Sequence, residues 1–311
     1  MLRQSIRVSL HRMDYLDVFV LPSTAQAVVT TPLHLLLIHT LYKHRKSPDL
    51  RTPFYTLVFS LSINDLLACI SYILLILFGK LFSLAVTYPT FFITTGLALL
   101  NGFYAGDELM LLCIALNRAV NILFPMRATI LWTKHMTVVA VVAQWVVCGT
   151  ICFMFVHPVL HKQQATDVID LLFDVDMTHP LAIFSFVVVY VVGVTSSVAV
   201  PVLYALCFCK VIYHRIMFGG NGNESNWRAE INLAMQGLML SSILLINSIT
   251  SLQYMSGTHA KNALVSAQAM FSLATVAFYI NPYVLLLMSS VLREKVALSL
   301  KCGGSVGPQP R

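Results

Sequence analysis

Seven long apolar stretches occupy almost the whole of this 311-residue chain, and they restrict its possible folds more than any other feature. A helix needs about 20 mostly apolar residues, each rising about 1.5 Å, to cross the hydrocarbon core of a bilayer. All seven stretches are that long. They cover residues 18–42, 54–79, 91–116, 136–156, 181–209, 232–254 and 263–289. The sequence therefore predicts an all-α membrane protein, a seven-transmembrane helix bundle.

The overall composition argues against a soluble helical domain. Apolar residues make up 58% of the chain, charged residues only 11%, and the mean hydropathy is +0.78. A helix that is apolar on all sides must be buried in protein or lipid, and 311 residues cannot hide seven such helices from water. The lipid bilayer is therefore the first predicted partner.

The placement of the basic residues predicts the orientation. Of the 20 Lys and Arg residues, 14 fall in segments 43–51, 118–135, 210–228 and 290–311, and six fall on the other side of the spans. Lys and Arg concentrate on the cytoplasmic side, which places the N-terminus outside and the C-terminus in the cytoplasm. This placement also accounts for the net charge of +7 without a nucleic-acid partner. The predicted parts are an extracellular N-terminus at 1–17, a seven-transmembrane domain at 18–289 and a cytoplasmic tail at 290–311.

The tail begins with a second kind of helical pattern. Apolar residues at 292, 296, 298 and 300, set among Arg293, Glu294 and Lys295, predict a short amphipathic helix on the inner membrane face. Cys302 follows directly and is a candidate for palmitoylation, although an unmodified cysteine is an equal alternative. Asn223-Glu224-Ser225 is an N-glycosylation triplet in a predicted cytoplasmic loop, where it should stay unmodified. If Asn223 were glycosylated, the topology would be the inverse of the predicted one.

Ionisable residues inside the spans are costly and usually functional. The sequence places Asp65 in the middle of the second span, Asp107 and Glu108 in the third, and Arg118 at the end of the third. Eleven residues are close to three helical turns, so Asp107 and Arg118 are predicted to share a helix face. Glu108 points about 100° away from Asp107, and the sequence leaves its environment undecided.

Five groups of residues in five different spans carry a resemblance to a known family. They are Asn64-Asp65, Asn117-Arg118, Trp145, Pro201 and Asn281-Pro282. In this order they resemble the rhodopsin-like G-protein-coupled receptors. Leu116-Asn117-Arg118 with Phe124-Pro125 and Trp132, together with the segment from Asn281 to Arg293, more closely resembles nematode serpentine chemoreceptors of the gamma and V classes.

The resemblance implies a function and roles for several residues. It implies a non-enzymatic chemosensory receptor in the cell membrane, with the sensory cilium as a candidate location, that couples a small-molecule ligand to a heterotrimeric G-protein. Asn117, Arg118, Asn281 and Pro282 would serve coupling and activation, the alternative for Arg118 being an arginine that only snorkels to the interface. Asp65, Asp107 and Asn281 would form a buried cation or proton site, the alternative being a neutral pair that fixes helix packing.

A ligand is expected in the outer half of the bundle, where apolar and aromatic side chains with a few polar groups form pockets. The candidates are Thr94, Asn101, Tyr104, Phe184, Gln253, Tyr254, Gln268 and Phe271. No cofactor and no metal are predicted. Span seven contains no lysine, which argues against a retinal Schiff base.

Two other classes of protein compete with a receptor. A proton- or ion-coupled transporter could also use Asp65, Asp107 and Glu108, but it should contain repeated halves, and none is visible. A metal hydrolase could use His157 and His161, spaced like two ligands on one helix face. Pro158 follows His157 directly, however, and biases that residue away from the helix.

Overall fold

The structure, a computed structural model, is built of helices joined by turns in the parts of the chain that it describes. It describes residues 25–82, 89–160, 180–218, 279–287 and 289–301, and residues 235, 237, 242, 245 and 246. We label the helices α1 (25–43), α2 (Pro53–Phe82), α3 (Pro89–Leu123), α4 (Ala128–Leu131), α5 (Lys134–Leu160), α6 (Pro180–Phe218), α7 (279–287) and α8 (Ser290–Lys301). The five isolated residues are also helical, and none of the described residues forms a strand.

Prolines determine where several of these helices begin and end. Pro53, Pro89 and Pro180 are the first residues of α2, α3 and α6. Proline suits this position because its fixed φ is already helical and its missing N–H would have no partner there. Pro125 ends α3, since the residue before a proline is driven out of the helical region, and Phe124 has φ −128° and ψ 57°.

The helices α2, α3, α5 and α6 all extend beyond their predicted spans. The helix α3 continues past Arg118 to Leu123, so Arg118 lies more than a turn before its end, because no helix-breaking residue precedes Pro125. The helix α5 continues through His157 and Pro158 to Leu160, contrary to the bias expected from the proline. A proline removes one backbone hydrogen bond, and this one stands two residues from the end of the helix.

Four helices are long and apolar enough to cross a membrane within the described parts of the chain. These spans are Pro53–Ile73, Ala98–Leu123, Lys134–Met154 and Val187–Tyr213. The first two are 61% buried and form the centre, whereas the last two are only 28% buried. Large apolar side chains such as Val142, Phe153, Val191 and Val202 are exposed on the outer pair. A continuous exposed apolar surface of this kind requires lipid rather than water.

A seam of small residues joins α3 to α5. A Cβ atom added at Gly102 would overlap Cys152 Sγ and lie 2.7 Å from the main-chain oxygen of Cys148. A Cβ atom at Gly106 would overlap Cys148 Sγ and lie 3.2 Å from Asn64 Oδ1. Glycines four residues apart allow two membrane helices to approach closely along one line. The Gly102–Gly106 pair therefore sets the distance between α3 and α5.

Polar side chains on α2 tie the same region together. Ser60 Oγ donates to Gln144 Oε1 at 2.6 Å and accepts from Trp145 Nε1 at 3.2 Å. One turn along, Asn64 Nδ2 donates to the main-chain oxygen of Phe103 at 2.8 Å, and Cys148 Sγ donates to Asn64 Oδ1 at 3.4 Å. These bonds fix the register of α2 against both α3 and α5.

The helix α8 confirms the short amphipathic helix that the sequence predicts after the last span. Ser289 is its N-cap, because Ser289 Oγ accepts a hydrogen bond from the main-chain nitrogen of Leu292 at 3.2 Å. Arg293 Nη1 donates to the main-chain oxygens of Leu286 and Leu287, which lie at the C-terminal end of α7. The turn between α7 and α8 is thus held from both sides.

Candidate functional site

Three of the predicted site residues meet in the middle of the bundle. Asp65 comes from α2, Asp107 from α3 and Asn281 from α7, and each side chain is at most 2% exposed. Asn281 Nδ2 donates to Asp65 Oδ2 at 3.0 Å, and the carboxyl groups of Asp65 and Asp107 lie within hydrogen-bond reach of each other. We call these three residues the acid site.

Apolar clusters enclose the acid site on both sides along the helix axes. On one side Ala68, Tyr72, Leu100, Phe103 and Tyr279 pack together, with Tyr72 and Tyr279 edge to face at 6.3 Å. On the other side the cluster contains Leu57, Leu61, Met110, Ile114 and Leu285. Carboxylates enclosed by hydrocarbon lose their hydration, so charge here has to be neutralised by a proton or a cation.

Four oxygen atoms of the acid site accept no hydrogen bond from the described residues. They are Asp65 Oδ1, both carboxylate oxygens of Asp107, and Asn281 Oδ1. A carboxylate only accepts hydrogen bonds, so the contact between the two acids becomes a hydrogen bond only when one of them holds a proton. The set of oxygen atoms also has the chemistry of a hard-cation site. The described residues contain no group of three His, Cys, Asp or Glu that could hold a metal ion.

Glu108, whose environment the sequence left undecided, is buried on a different face of α3. It is fully buried, and its main-chain oxygen accepts a hydrogen bond from Ser196 Oγ of α6 at 3.2 Å. The side chains of Tyr104 and Ser196 both lie beside the Glu108 carboxyl group. Glu108 therefore faces α6 rather than Asp65, although its carboxyl group still interacts electrostatically with the neighbouring Asp107.

Arg118 lies against α2 near the end of the bundle where α3 finishes. Its guanidinium carbon is 3.6 Å from the centre of the Phe54 ring, and its charge also interacts with Tyr204 of α6. Such stacking suits a guanidinium, because it is flat and weakly hydrated. Phe54 and Asp65 are eleven residues apart on α2, as are Arg118 and Asp107 on α3. Because α2 and α3 are antiparallel, these equal spacings allow Asp65 to lie beside Asp107 and Phe54 to lie beside Arg118. Asp107 and Arg118 therefore share the face of α3 that their spacing predicts.

Two further residues complete this end of the bundle. The side chain of Asn117 is 1% exposed, and within the described residues its amide makes no hydrogen bond. Gly237, from the sixth predicted span, lies so close to the ring of Tyr204 that an added Cβ atom would overlap the ring. The ring of Tyr204 thus lies between α3 and residue 237.

The predicted ligand-contacting residues fall in several environments. Asn101 and Tyr104 are partly exposed on α3, and the Tyr104 hydroxyl reaches towards Gly193 of α6. Phe184 is 55% exposed near the start of α6. Thr94 is helical, but its side chain lies outside the described part of the structure, as do Gln253, Tyr254, Gln268, Phe271 and Cys302.

Comparison with known families decides what kind of protein this is. Residues 24–302 match the family described as serpentine type 7TM GPCR chemoreceptor Srv, which covers every described helix. The chain belongs to the Srv family of serpentine chemoreceptors. This confirms the resemblance to nematode serpentine chemoreceptors. No relative was found among the curated proteins.

Membership of the Srv family sets the general class of this chain. It is a multi-pass membrane protein of a chemoreceptor family, and that class is not enzymatic. The family favours a receptor over the transporter and the hydrolase considered from the sequence. A small chemical ligand and a membrane environment follow from the same class.

Sequence reasoning missed several of the residues that hold this Srv protein together. Ser60, Gln144 and Cys148 link α2 to α5, yet a serine, a glutamine or a cysteine in an apolar span carries little signal alone. The Gly102–Gly106 pair did have a signal, since Gly-x-x-x-Gly in an apolar helix is typical of close helix packing. That pattern would have predicted a close helix contact on this face of α3, but not that α5 is the partner.

Proposed function

We propose that this Srv protein is a chemosensory receptor of the cell membrane that transmits ligand binding to a heterotrimeric G-protein. It would cross the membrane seven times, with the N-terminus outside and the tail in the cytoplasm. A sensory cilium is the location that suits such a role. The observation that carries the proposal is the family match, because it spans residues 24–302 and names this receptor class.

The environment of Arg118 supports a coupling role at the inner end. A permanently charged guanidinium that stacks on an aromatic ring and interacts with a nearby tyrosine has donors with which it could contact a partner protein. Asn117 beside it is buried, and its side-chain amide makes no hydrogen bond with the described residues. We propose that Asn117 and Arg118 contact the G-protein or control access to it, and that Asn281 and Pro282 transmit the change along α7.

The ligand would bind in the outer half of the bundle, between α3 and α6. Tyr104 supports this location, because it is partly exposed and its hydroxyl reaches the glycine position of α6 at 193. Asn101 lies about one turn closer to the outer end of α3 and would contribute a polar contact. Thr94, Phe184, Gln253, Tyr254, Gln268 and Phe271 remain candidates for the same pocket.

The acid site is a second functional candidate, as a site for a cation or a proton. Two carboxyl groups and an amide present four oxygens without donors among the described residues, inside a shell of hydrocarbon. Occupation by a cation would draw α2, α3 and α7 together, and release would loosen them. The site would then bias the receptor between two packings of these helices.

The coupling proposal is tested with a G-protein reporter in cells exposed to volatile compounds and small metabolites. Arg118→Ala is compared with Arg127→Ala, which removes an exposed arginine from the turn after α3. We expect Arg118→Ala to weaken the response about tenfold or more, within the usual range of coupling between sites. Arg127→Ala should respond like the unchanged receptor, with surface expression measured for all three proteins. An undiminished response from Arg118→Ala would remove the assigned coupling role.

A further inference from the structure

Two basic segments that are far apart in the sequence lie together at one end of the structure. The last residue of α1, the segment between α1 and α2, and the first turns of α8 together carry six Lys or Arg residues and two acidic ones. The basic residues are Lys43, Arg45, Lys46, Arg51, Arg293 and Lys295, and the acidic ones are Asp49 and Glu294. We call these six basic side chains the basic face.

Specific contacts hold the two segments together. Lys295 Nζ lies 3.5 Å from Asp49 Oδ2, and His44 Nε2 lies 3.2 Å from Ser299 Oγ. Leu50 and Leu292 belong to one apolar cluster, in which Leu292 is fully buried. Because Leu292 anchors α8 beneath the α1–α2 segment, the basic face is a fixed surface rather than two independent loops.

The surroundings of His44 show that positive charge is concentrated at this surface. Burial lowers the pKa of its imidazole below the usual value, and the charges of Lys295, Lys43 and His39 lower the pKa further. A neighbouring positive charge disfavours a second one, so the imidazole stays neutral to lower pH than a free histidine. Residues from α1 and from α8 both act on His44, which means that their charges converge at one place.

The basic face also lies where membrane headgroups would be. Lys43, Lys46 and Arg51 are exposed, while Leu298 and Leu300 on α8 are apolar and 41% and 63% exposed. An amphipathic helix places such leucines in the acyl-chain boundary, and its basic residues then lie at the level of the phosphates. Asp49, the acid nearest to Lys295, is already paired with it.

We propose that the basic face binds the headgroup of an inner-leaflet phosphoinositide, a lipid with several phosphates on one ring. Clusters of four to eight Lys and Arg next to a membrane span attract anionic lipids. Here the positive charges come from two converging segments, so they match a compact polyanion better than single charges spread over the bilayer surface. The inference depends on the proposed orientation, because phosphoinositides occupy the cytoplasmic leaflet.

Native mass spectrometry of the purified receptor in detergent tests this proposal with short-chain phosphatidylinositol bisphosphate as the probe. The variant Lys43→Gln, Lys46→Gln, Arg51→Gln is compared with Arg127→Gln, Lys134→Gln, Lys210→Gln, which removes three exposed charges elsewhere on the same predicted side. We expect the first variant to bind the probe about 10- to 100-fold more weakly, following the contribution of each basic residue near a charged surface. The second should bind within about twofold of the unchanged receptor.

Two further probes identify the source of the phosphate. Phosphatidylserine at equal total charge should bind more weakly than the bisphosphate lipid, and free inositol trisphosphate should compete only weakly, because it lacks the acyl chains that α8 contacts. Equal losses in both triple variants, or equal binding of the two lipids, would overturn the proposal. The assay contains no G-protein, so a receptor that signals without binding this lipid contradicts only the lipid site.

Discussion

At the scale of single residues, neighbouring acids on α3 have opposite surroundings. Asp107 faces Asp65, which is bonded to Asn281, whereas Glu108 lies beside Tyr104 one turn earlier on α3 and Ser196 of α6. The sequence predicts that two consecutive residues point about 100° apart, but it does not reveal which helix lies in either direction. The packing of α2, α6 and α7 around α3 decides that only Asp107 joins the acid site.

This difference between neighbours allows a matched test of the cation proposal. We expect the purified receptor to unfold at a temperature a few degrees higher in sodium chloride than in choline chloride at equal concentration, because a bound ion stabilises the folded state. Asp107→Asn should lose this difference, since it removes a charged ligand from the acid site. Glu108→Gln should keep it.

The same measurement separates a cation from a proton. Equal unfolding temperatures of the unchanged receptor in both salts would exclude a sodium site. A proton shared by Asp65 and Asp107 would then account for the burial of the two carboxyl groups. A sodium effect that is lost in Glu108→Gln but kept in Asp107→Asn would show that it does not arise at the acid site.

At the scale of helices, close packing depends on glycines, which have no side chain. The α3–α5 seam exists because residues 102 and 106 have no Cβ atom where Cys148 and Cys152 approach. In a membrane the helices gain little from the hydrophobic effect, so dispersion contacts and hydrogen bonds must supply the stability. The hydrogen bonds that Ser60 and Asn64 of α2 make with α5 lie beside this seam and hold α5 from a second helix.

Gly102→Ala tests this seam, with Gly149→Ala as the control. The Cβ atom at 102 would lie 2.7 Å from the main-chain oxygen of Cys148, which cannot move without shifting α5, whereas a Cβ atom at 149 has open space around it. We expect Gly102→Ala to lower the free energy of unfolding by about 1–3 kcal/mol, as overpacking usually does. Gly149→Ala should leave stability unchanged or raise it by up to about 1 kcal/mol, because alanine favours a helix over glycine.

A thiol-reactive dye can follow this unfolding, because Cys148 is buried until the helices separate. The melting temperature of each variant is compared with that of the unchanged receptor in the same detergent. If Gly102→Ala and Gly149→Ala melted together, the close approach of α3 and α5 would contribute nothing to stability.

At the scale of the whole molecule, the proposed topology rests on charge asymmetry and on the family. The N-terminus and the loop between α5 and α6 should lie outside, and the loop that contains Asn223 should lie inside. Arg3→Asn creates an Asn-Gln-Ser triplet, and Gln164→Asn creates an Asn-Ala-Thr triplet, each through one substitution. We expect glycosylation at both new triplets and none at Asn223, detected as a gel shift that an endoglycosidase removes. Glycosylation of Asn223 would show that the bundle has the opposite orientation to the one proposed.

Most of the helical architecture could be predicted, because it depends on local composition. Four predicted spans correspond to helices of full length, and α8 was predicted from the spacing of its apolar residues. The helix ends were less accurate: α3 runs seven residues past the apolar stretch, because the helix stops at Pro125 and not where hydropathy falls. The acid site was predicted from a resemblance, and hydropathy alone could not have brought its three residues together.

The sequence by itself determined that this chain is a helical membrane protein of the serpentine chemoreceptor kind, because span length, apolar content and motif order are properties of consecutive residues. Only the tertiary structure decided which polar groups meet. It paired Asp107 with Asp65, turned Glu108 towards α6, and joined the α1–α2 segment to α8 across about 250 residues of chain. These contacts depend on the rotation and register of packed helices, which seven apolar stretches leave open.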